Sequence, residues 1–315
     1  MNPALLNHSM NNRKKGGVKL KDIGEFGLIE KIAKQTKAGP SVIKGIGDDC
    51  AVLKYLKNKY LLVTTDMILQ DVHFRLSSAA PERIGHKAMA VNISDIAACG
   101  GTGKWATISA GLPKNLSMDF VNRLYRGIKN TASKFNVDIV GGDTNVSRKL
   151  VISITLIGEV NKKNLTLRST AKKGDAIFIT GGLSLRYKDL NFTPRIKEAL
   201  FLVNNFKINS MIDISDGLLS DLGHIIRGSK KGALLYESLI PHKGSFTKKL
   251  LSQGEQFELL FTADKHNAKK LLAQAKQENF KITAIGEITK DIGKIVFVDK
   301  KGRRESLKAA GYRHF

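Results

Sequence analysis

The residues best able to do chemistry in this chain are its aspartates. Gly45-Ile46-Gly47-Asp48-Asp49 places two adjacent carboxylates in a glycine turn. In a strand they would point to opposite faces, whereas in such a turn both can converge on one cation. Asp66, Asp95, Asp143, Asp213 and Asp216 recur in similar settings, each beside small or hydroxyl residues at the edge of an apolar run. A single Gly-Asp-Asp is most often a solvated bend. A series of such acids is harder to assign to composition in a chain with 52 Lys+Arg against 28 Asp+Glu. Oxygen ligands of this kind suit hard cations such as Mg²⁺, which usually bring phosphates with them.

The commoner catalytic designs are absent from the sequence. There is no Gly-x-Ser-x-Gly, and Cys50 has no evident paired histidine. His86 and His224 fall in expected helices without His-x-x-x-His spacing, which suits structural roles. Neither a Walker Gly-x-x-x-x-Gly-Lys-Ser/Thr nor the protein-kinase set of motifs is present. What remains is an Asp-only metal site holding phosphates. Catalysis there would come from neutralising and aligning a transferring phosphoryl group, without a covalent intermediate.

The elements that must position these acids follow from hydrophobic spacing. Residues 60–66 read as a buried strand ending in hydroxyls and an acid, followed by a short loop with Asp71, His73 and Phe74. Ile84, Ala88, Val91, Asn92, Asp95 and Ile96 recur at helical spacing over 81–98, and Cys99-Gly100-Gly101 closes that helix. Further strands are expected at 105–112, at 137–140 (stopping at Gly141-Gly142-Asp143-Thr144) and at 151–160. Helices are expected at 26–36 and, capped by Ser117, at 116–135. After a linker at 166–173, strands are expected at 175–180, 233–240, 257–262, 282–288 and 295–298. Helices are expected at 194–204, 246–251 and 266–278, and residues 211–222 run from an extended piece into another. Asp95 in Asn-Ile-Ser-Asp-Ile-Ala and Asp216 in Asp-Ile-Ser-Asp-Gly-Leu look like counterparts in a distant internal repeat, as if two related halves faced one cleft. Alternating elements with returning strand pairs indicate an α+β (mixed α/β) fold, without the Gly-x-Gly-x-x-Gly turn of a dinucleotide-binding domain.

At 315 residues the chain is long enough for two domains. Residues 1–20 have the composition of a disordered extension. Cys50 and Cys99 are the only cysteines, no apolar segment approaches a membrane span, and the first 20 residues are too polar for a signal peptide. A reduced, cytoplasmic protein with no membrane partner is the expectation. The formal charge of +24 could mean a nucleic-acid partner, but lysine is spread over most of the chain and no nucleic-acid-binding motif appears, so no such partner is expected.

In this order the motifs become specific: Gly47-Asp48-Asp49-Cys50-Ala51-Val52, Thr64-Thr65-Asp66-Met67, Asp71-Val72-His73-Phe74 and Val91-Asn92-Ile93-Ser94-Asp95-Ile96-Ala97-Ala98. They continue with Val140-Gly141-Gly142-Asp143-Thr144, Leu167-Arg168-Ser169, Asp213-Ile214-Ser215-Asp216-Gly217-Leu218, Gly254-Glu255, Glu258-Leu259-Leu260-Phe261-Thr262 and Gly311-Tyr312-Arg313-His314-Phe315. From about Phe26 to Phe315 the chain resembles the thiamine-monophosphate kinases, in the superfamily of the aminoimidazole-ribonucleotide synthetases and selenophosphate synthetase. That resemblance implies a two-domain aminoimidazole-ribonucleotide-synthetase-like fold. Residues 21–162 would form an ATP- and Mg²⁺-binding domain and residues 163–315 an α/β domain, and a homodimer would pair the N-terminal sheets.

The implied reaction moves the γ-phosphate of ATP to thiamine monophosphate. By resemblance, Asp48, Thr64, Thr65, Asp66, Asp95, Asp143, Asp213 and Asp216 would bind several Mg²⁺ ions. Tyr125, Gly142, Asp143, Arg168 and Ser215 would contact ATP, and His73, Glu255 and Tyr312 would hold thiamine phosphate. Asp48, Asp66, Asp95, Asp143 and Arg168 form the implied catalytic set. Asp48 is read as the direct ligand, with Asp49 a neighbour that orients it or the turn. The acceptor is already a phosphate anion, so no general base is needed. Several positions depart from the family pattern. Gln256 replaces an acid, which leaves the substrate-side acid open between Glu255 and Glu258; Cys50 replaces alanine; the stretches at 181–190, beyond Arg195 and at 241–254 are altered. Two other readings stay open: an ATP-dependent synthetase of the aminoimidazole-ribonucleotide type, and a basic nucleic-acid-binding protein.

Overall fold

A computed structural model of the chain describes residues 19–185 and 190–312. The expected disordered extension lies almost wholly outside these residues, as do part of the 181–190 stretch and the terminal Arg313-His314-Phe315. The chain divides into two compact units, and the larger, Ala38–Tyr312, contains every element but one. That one is α1 (Leu20–Gln35), a helix broken at Gly24, whose φ of +64° is non-helical.

Within the larger unit the first half is a sheet covered by two helices. The strands are β1 (Val42–Lys44), β2 (Ala51–Lys54), β3 (Lys59–Leu69), β4 (Thr102–Leu112), β5 (Asp138–Val146) and β6 (Val151–Asn161), in the order β1-β2-β3-β6-β4-β5. β6 shows why one face is covered. Ile152, Ile154, Leu156 and Val160 are buried on alternate positions, and the intervening residues are only partly covered. Helices α2 (Pro81–Ala98) and α3 (Met118–Lys134) lie against each other, and Ser117 caps α3 by accepting the Phe120 N–H at 3.1 Å. Their backbones nearly touch: a Cβ on Gly85 would sit 2.1 Å from the Leu124 carbonyl oxygen, and one on Gly127 2.0 Å from that of Glu82. α2 is apolar or small almost all round and is buried accordingly, contacting β3 and β6 in its own half and, in the second, the strand Ile208–Asp213 and the helix Ile196–Asn205.

The second half comprises β7 (Asp175–Thr180), α4 (Ile196–Asn205), β8 (Ile208–Asp213), α5 (Leu218–Ser229), β9 (Gly232–Tyr236), β10 (Leu259–Asp264), α6 (Ala268–Gln277), β11 (Ile282–Thr289), β12 (Ile295–Val298) and β13 (Arg304–Leu307). Its sheet runs β13-β12-β9-β11-β7-β10-β8, antiparallel except for β9–β12. β7 is buried on both faces. Ile177 and Ile179 enter the core under α5, while Ala176 and Phe178 enter a second core formed with α4, α6 and the Ala97-Ala98 end of α2. Among the described residues no helix is long and apolar enough to cross a membrane.

Three sequence expectations need correction. Gly141-Gly142-Asp143-Thr144 does not stop a strand but lies inside β5. Gly142 packs so closely on β4 that a Cβ would meet the Ile108 oxygen at 2.0 Å, beside a register shift at Ala106/Thr107. Asp95 and Asp216 do not share a local setting, since Asp95 is helical while Asp216 sits in the loop before α5. The last hairpin, β12–β13, extends beyond the expected final strand because Arg304–Leu307 alternates exposed and half-buried side chains with too few apolar residues to read as a strand.

Candidate active site

Four elements bring the acids together. Asp49 comes from the turn before β2, Asp95 from the last turn of α2 and Asp213 from the end of β8. Their carboxylate oxygens lie within 4.8 Å of one another. Asp66 faces the same way from β3: its N–H donates to Asn92 Oδ1 (3.1 Å), and Asn92 Nδ2 is anchored on the Ala88 carbonyl (3.0 Å). Thr64, two residues earlier and so on the same face, donates to Asp95 Oδ2 at 2.5 Å. Ser94 donates to Asp213 Oδ2 at 2.5 Å. Asp48 is engaged from another side, by the Arg168 N–H (3.1 Å) and by Lys44 Nζ (3.6 Å).

Burial and like charge make this cluster poor at holding its own negative charge. Burial and then the Asp49 and Asp216 charges push Asp66 up to about 6. Asp48 also rises to about 6, through burial and then Asp49. Asp213 rises to about 8, through burial and then Asp49. Asp95 is pushed well above the carboxylate range by burial and then by Asp66 and Asp213. One cation is built in: Arg168, in the link between the two sheets, donates to Asp49 Oδ1 at 2.7 Å. Burial works against its charge, but Asp49 and Asp48 outweigh that and raise its pKa. Arg168 Nε and Asp49 Oδ2 are both buried with no hydrogen-bond partner among the described residues. An all-oxygen donor set with an orphaned carboxylate oxygen and mutually raised carboxyls fits hard divalent cations.

A second group lies at the start of α5, where Asp216, Asp221 and His224 offer ligand atoms within 4.8 Å. The sequence reading passed over Asp221. Its Oδ2 accepts the N–H groups of Asp216 (3.2 Å) and Gly217 (3.0 Å), fixing the loop that carries Asp213, Ser215 and Asp216. An acid in the first turn of an expected helix just after a glycine was the available signal. His224 is pushed down to about 3 by burial and then by Arg168 and Arg227, so it stays neutral.

The residues expected on the acceptor side hang from that same loop. Glu255 N–H donates to the Ser215 carbonyl (2.6 Å), and Tyr312 N–H to the Asp216 carbonyl (2.9 Å). Gly311 permits the second contact, since a Cβ there would meet the Asp216 oxygen at 2.5 Å. His73, in the loop after β3, accepts the Leu69 N–H on Nδ1 (3.0 Å), which leaves the ring proton on Nε2. Glu255 and Glu258 differ sharply. Arg195 forks onto both oxygens of Glu258 (2.6 and 2.7 Å) and Thr180 adds a third bond, whereas Glu255 Oε2 has no partner among the described residues.

Other expected site residues are not gathered here. Thr65 points to the opposite face of β3 from Thr64 and contacts Thr155 Oγ1 (3.2 Å). Gly142 and Asp143 lie on β5, three strands from β3 and therefore about 14 Å from the Asp66 row at ordinary strand spacing. β5 is exposed along its whole length. Tyr125 packs against the core from α3.

Comparison with known proteins agrees with the geometry. Residues 47–160 match the family described as AIR synthase related protein, N-terminal domain, and residues 172–299 match its C-terminal domain. The chain is 36% identical to the thiamine-monophosphate kinase of Buchnera aphidicola subsp. Schizaphis graminum, over 93% of this chain and 99% of that one. It is 33% identical to that of Bacillus subtilis, over 92% and 99%. A solved structure, AaThiL complexed with AMPPCP and TMP, superposes with a TM-score of 0.79 at 31% identity, covering 95% of this chain and all of that one. With two-domain architecture, paired acids and full-length similarity all in agreement, the chain belongs to the thiamine-monophosphate kinase family of AIR-synthase-related proteins.

Proposed function

We infer that this chain carries out the reaction of its family, ATP-dependent phosphorylation of thiamine monophosphate to thiamine diphosphate. The observation that carries the reading is the buried Asp49–Asp95–Asp213 group with its orphaned oxygen, in a chain whose similarity to these kinases runs nearly end to end. We assign Asp48, Thr64, Asp66, Asp95, Asp213 and Asp216 to Mg²⁺ and add Asp49, whereas Thr65 and Asp143 stand apart from this group and are not assigned to the same ions. When bound, Mg²⁺ would neutralise phosphate oxygens and so lower the barrier to phosphoryl transfer. Arg168, held by Asp49 and retaining an unused Nε, is suited to take a phosphate oxygen beside Ser215, with Gly142, Asp143 and Tyr125 completing the nucleotide contacts. His73 Nε2–H can donate to the acceptor phosphate, Glu255 can accept from the acceptor's donors, and Tyr312 can stack on a flat cationic ring. An acceptor phosphate oxygen that is already ionised attacks in line without a base.

The chain is proposed to work as a cytoplasmic homodimer built through the N-terminal sheet. β5 presents an open edge with Val140 and Val146 60% and 61% exposed, an apolar strand edge that a second copy would cover. Nucleotide bound near such a junction would meet Gly142 and Asp143. Domain bounds of 21–162 and 163–315 are supported by the matched family segments, which fall inside them. The test is an assay of the purified chain with ATP and thiamine monophosphate, following both ADP and thiamine diphosphate. Stoichiometric formation of both, lost in Asp213→Asn, supports the assignment. ADP release with no thiamine diphosphate would overturn it.

A further inference from the structure

We propose that Lys87 is a positioning residue of the acceptor site, holding Glu255 and the His73 loop in register through one buried ammonium. The inference rests on the reading of His73 and Glu255 as acceptor-binding residues. Lys87 lies in α2 with its side chain 0% exposed. Lysine is almost never fully buried unless paired, because the ammonium loses its hydration. Here Nζ donates to Glu255 Oε1 at 2.5 Å and lies 3.5 Å from the His73 carbonyl oxygen. One side chain thereby joins the loop after β3 to a turn 168 residues away in the other half of the molecule.

The turn that presents Glu255 is itself constrained. Glu255 and Phe257 both have left-handed backbone, with φ of +59° and +49°. A non-glycine residue keeps that conformation only when its surroundings fix it, and such residues gather at ligand sites. Bonds from Glu255 N–H to Ser215 and from Gln256 and Phe257 N–H to Ile214 supply the fixing, and the Phe257 ring stacks on Phe192 at 3.8 Å. Lys87 supplies the remaining element by setting where the carboxylate lies.

Saturation separates this pair from an ordinary structural ion pair. Glu258, three residues on, has both oxygens engaged, Oε1 by Arg195 and Oε2 by Arg195 and Thr180. Lys87 consumes only Oε1 of Glu255, and Oε2 is buried without a partner among the described residues. A half-saturated carboxylate whose charge is balanced from behind is an acceptor for one strong donor. The same lysine contacts the carbonyl of His73, whose Nδ1 is already pinned by Leu69 and whose Nε2 carries the proton. One buried ammonium thus touches both the Glu255 carboxylate and the backbone of the His73 loop.

The test is steady-state kinetics on the intact chain, varying thiamine monophosphate and ATP separately, for Lys87→Met, Lys87→Arg, Glu255→Gln and the Lys87→Met/Glu255→Gln double variant. Loss of a charge-assisted hydrogen bond predicts KM for thiamine monophosphate raised about 10- to 100-fold in Lys87→Met. KM for ATP should stay within about twofold, and Lys87→Arg should recover part of the loss. Because Lys87 acts through Glu255, the double variant should be no worse than Glu255→Gln alone. Equal changes in both KM values, or an unchanged KM for thiamine monophosphate in Lys87→Met while Glu255→Gln raises it, would overturn the proposal for Lys87 alone. An unchanged KM in Glu255→Gln would overturn the acceptor assignment and the proposal with it. If Lys87→Met fails to fold, Lys87→Arg with calorimetric binding of thiamine monophosphate in the absence of ATP decides the matter, and unchanged affinity refutes it.

Discussion

Replacing Asp213 by asparagine tests the aspartate cluster through stability as well as activity. The Asp213 carboxyl rises from an ordinary 3.8 to about 8, through burial first and the Asp49 charge second, against the hydrogen bond from Ser94. The unfolded chain gives up this proton near pH 4 while the folded chain keeps it to about pH 8. Between those values the folded state binds more protons, so stability falls as pH rises; below about 4 the group is silent, and above about 8 the full penalty is in place. At about 1.4 kcal/mol per pH unit, the loss from about pH 5 to about pH 7.5 is about 3 kcal/mol from this one group. For 315 residues, 1 kcal/mol corresponds to about 1.5 °C in Tm, which predicts a fall of about 4–5 °C. Thermal unfolding followed in EDTA across this range should show the wild-type Tm dropping by that amount relative to Asp213→Asn. Added Mg²⁺ should restore the wild type at the upper end and leave the variant little changed. Parallel Tm–pH curves for the two proteins in EDTA would refute the reasoning.

Asp49→Asn should abolish turnover and remove most of the Mg²⁺ dependence of Tm, because its Oδ2 is the orphaned oxygen of the group, and wild-type turnover in this variant would return Asp49 to an orienting role. Glu258→Gln should cost about 2–3 kcal/mol, below the roughly 3–5 kcal/mol of a fully buried pair because Arg195 is partly exposed, and should leave both KM values unchanged; a selective rise in KM for thiamine monophosphate would instead make Glu258 the substrate-side acid. Gly85→Ala should destabilise by about 2–4 kcal/mol, read as a Tm loss, since its Cβ would collide with the backbone of α3.

Much of this site could be read from the chain because its signals are local. A buried-strand pattern ending in Thr64-Thr65-Asp66 and a small-residue helix carrying Asp95 are each visible in a short window, and the structure places them in β3 and α2, although β3 runs on to Leu69 past the expected end at Asp66. What could not be read depends on contacts between distant segments. Gly141-Gly142 looks like a strand stop, because glycine pairs usually punctuate; only the approach to Ile108 shows that Gly142 lets two strands lie close. Lys87 looks like a polar interruption of an apolar helix, and its meaning appears only when Glu255 arrives from 168 residues away. Asp221 looks like a favourable charge at a helix start, and it proves also to tie down the backbone of the loop before it.

The Asp48-Asp49 pair shows the limit most clearly. Adjacent residues in a turn offer no period by which to say which carboxylate faces the cluster, so the resemblance alone favoured Asp48. In the fold, Gly47 takes φ +106°, and the two carboxylates stay within 4.8 Å of each other but take different partners. Asp48 meets the Arg168 N–H and Lys44, which partly satisfy it. Asp49 meets the guanidinium of the same arginine with one oxygen, and Asp95 and Asp213 surround it. Arg168 therefore touches both acids, Asp48 through its backbone and Asp49 through its side chain, and its own pKa rises because of them. A phosphate drawing Arg168 toward itself would loosen its hold on Asp49 as nucleotide arrives, leaving that carboxylate more available to cations. On the proposed assignment, the glycine turn would link nucleotide contact to metal affinity through one arginine. Removing that guanidinium should therefore weaken the dependence of Mg²⁺ affinity on bound nucleotide more than it weakens Mg²⁺ affinity alone.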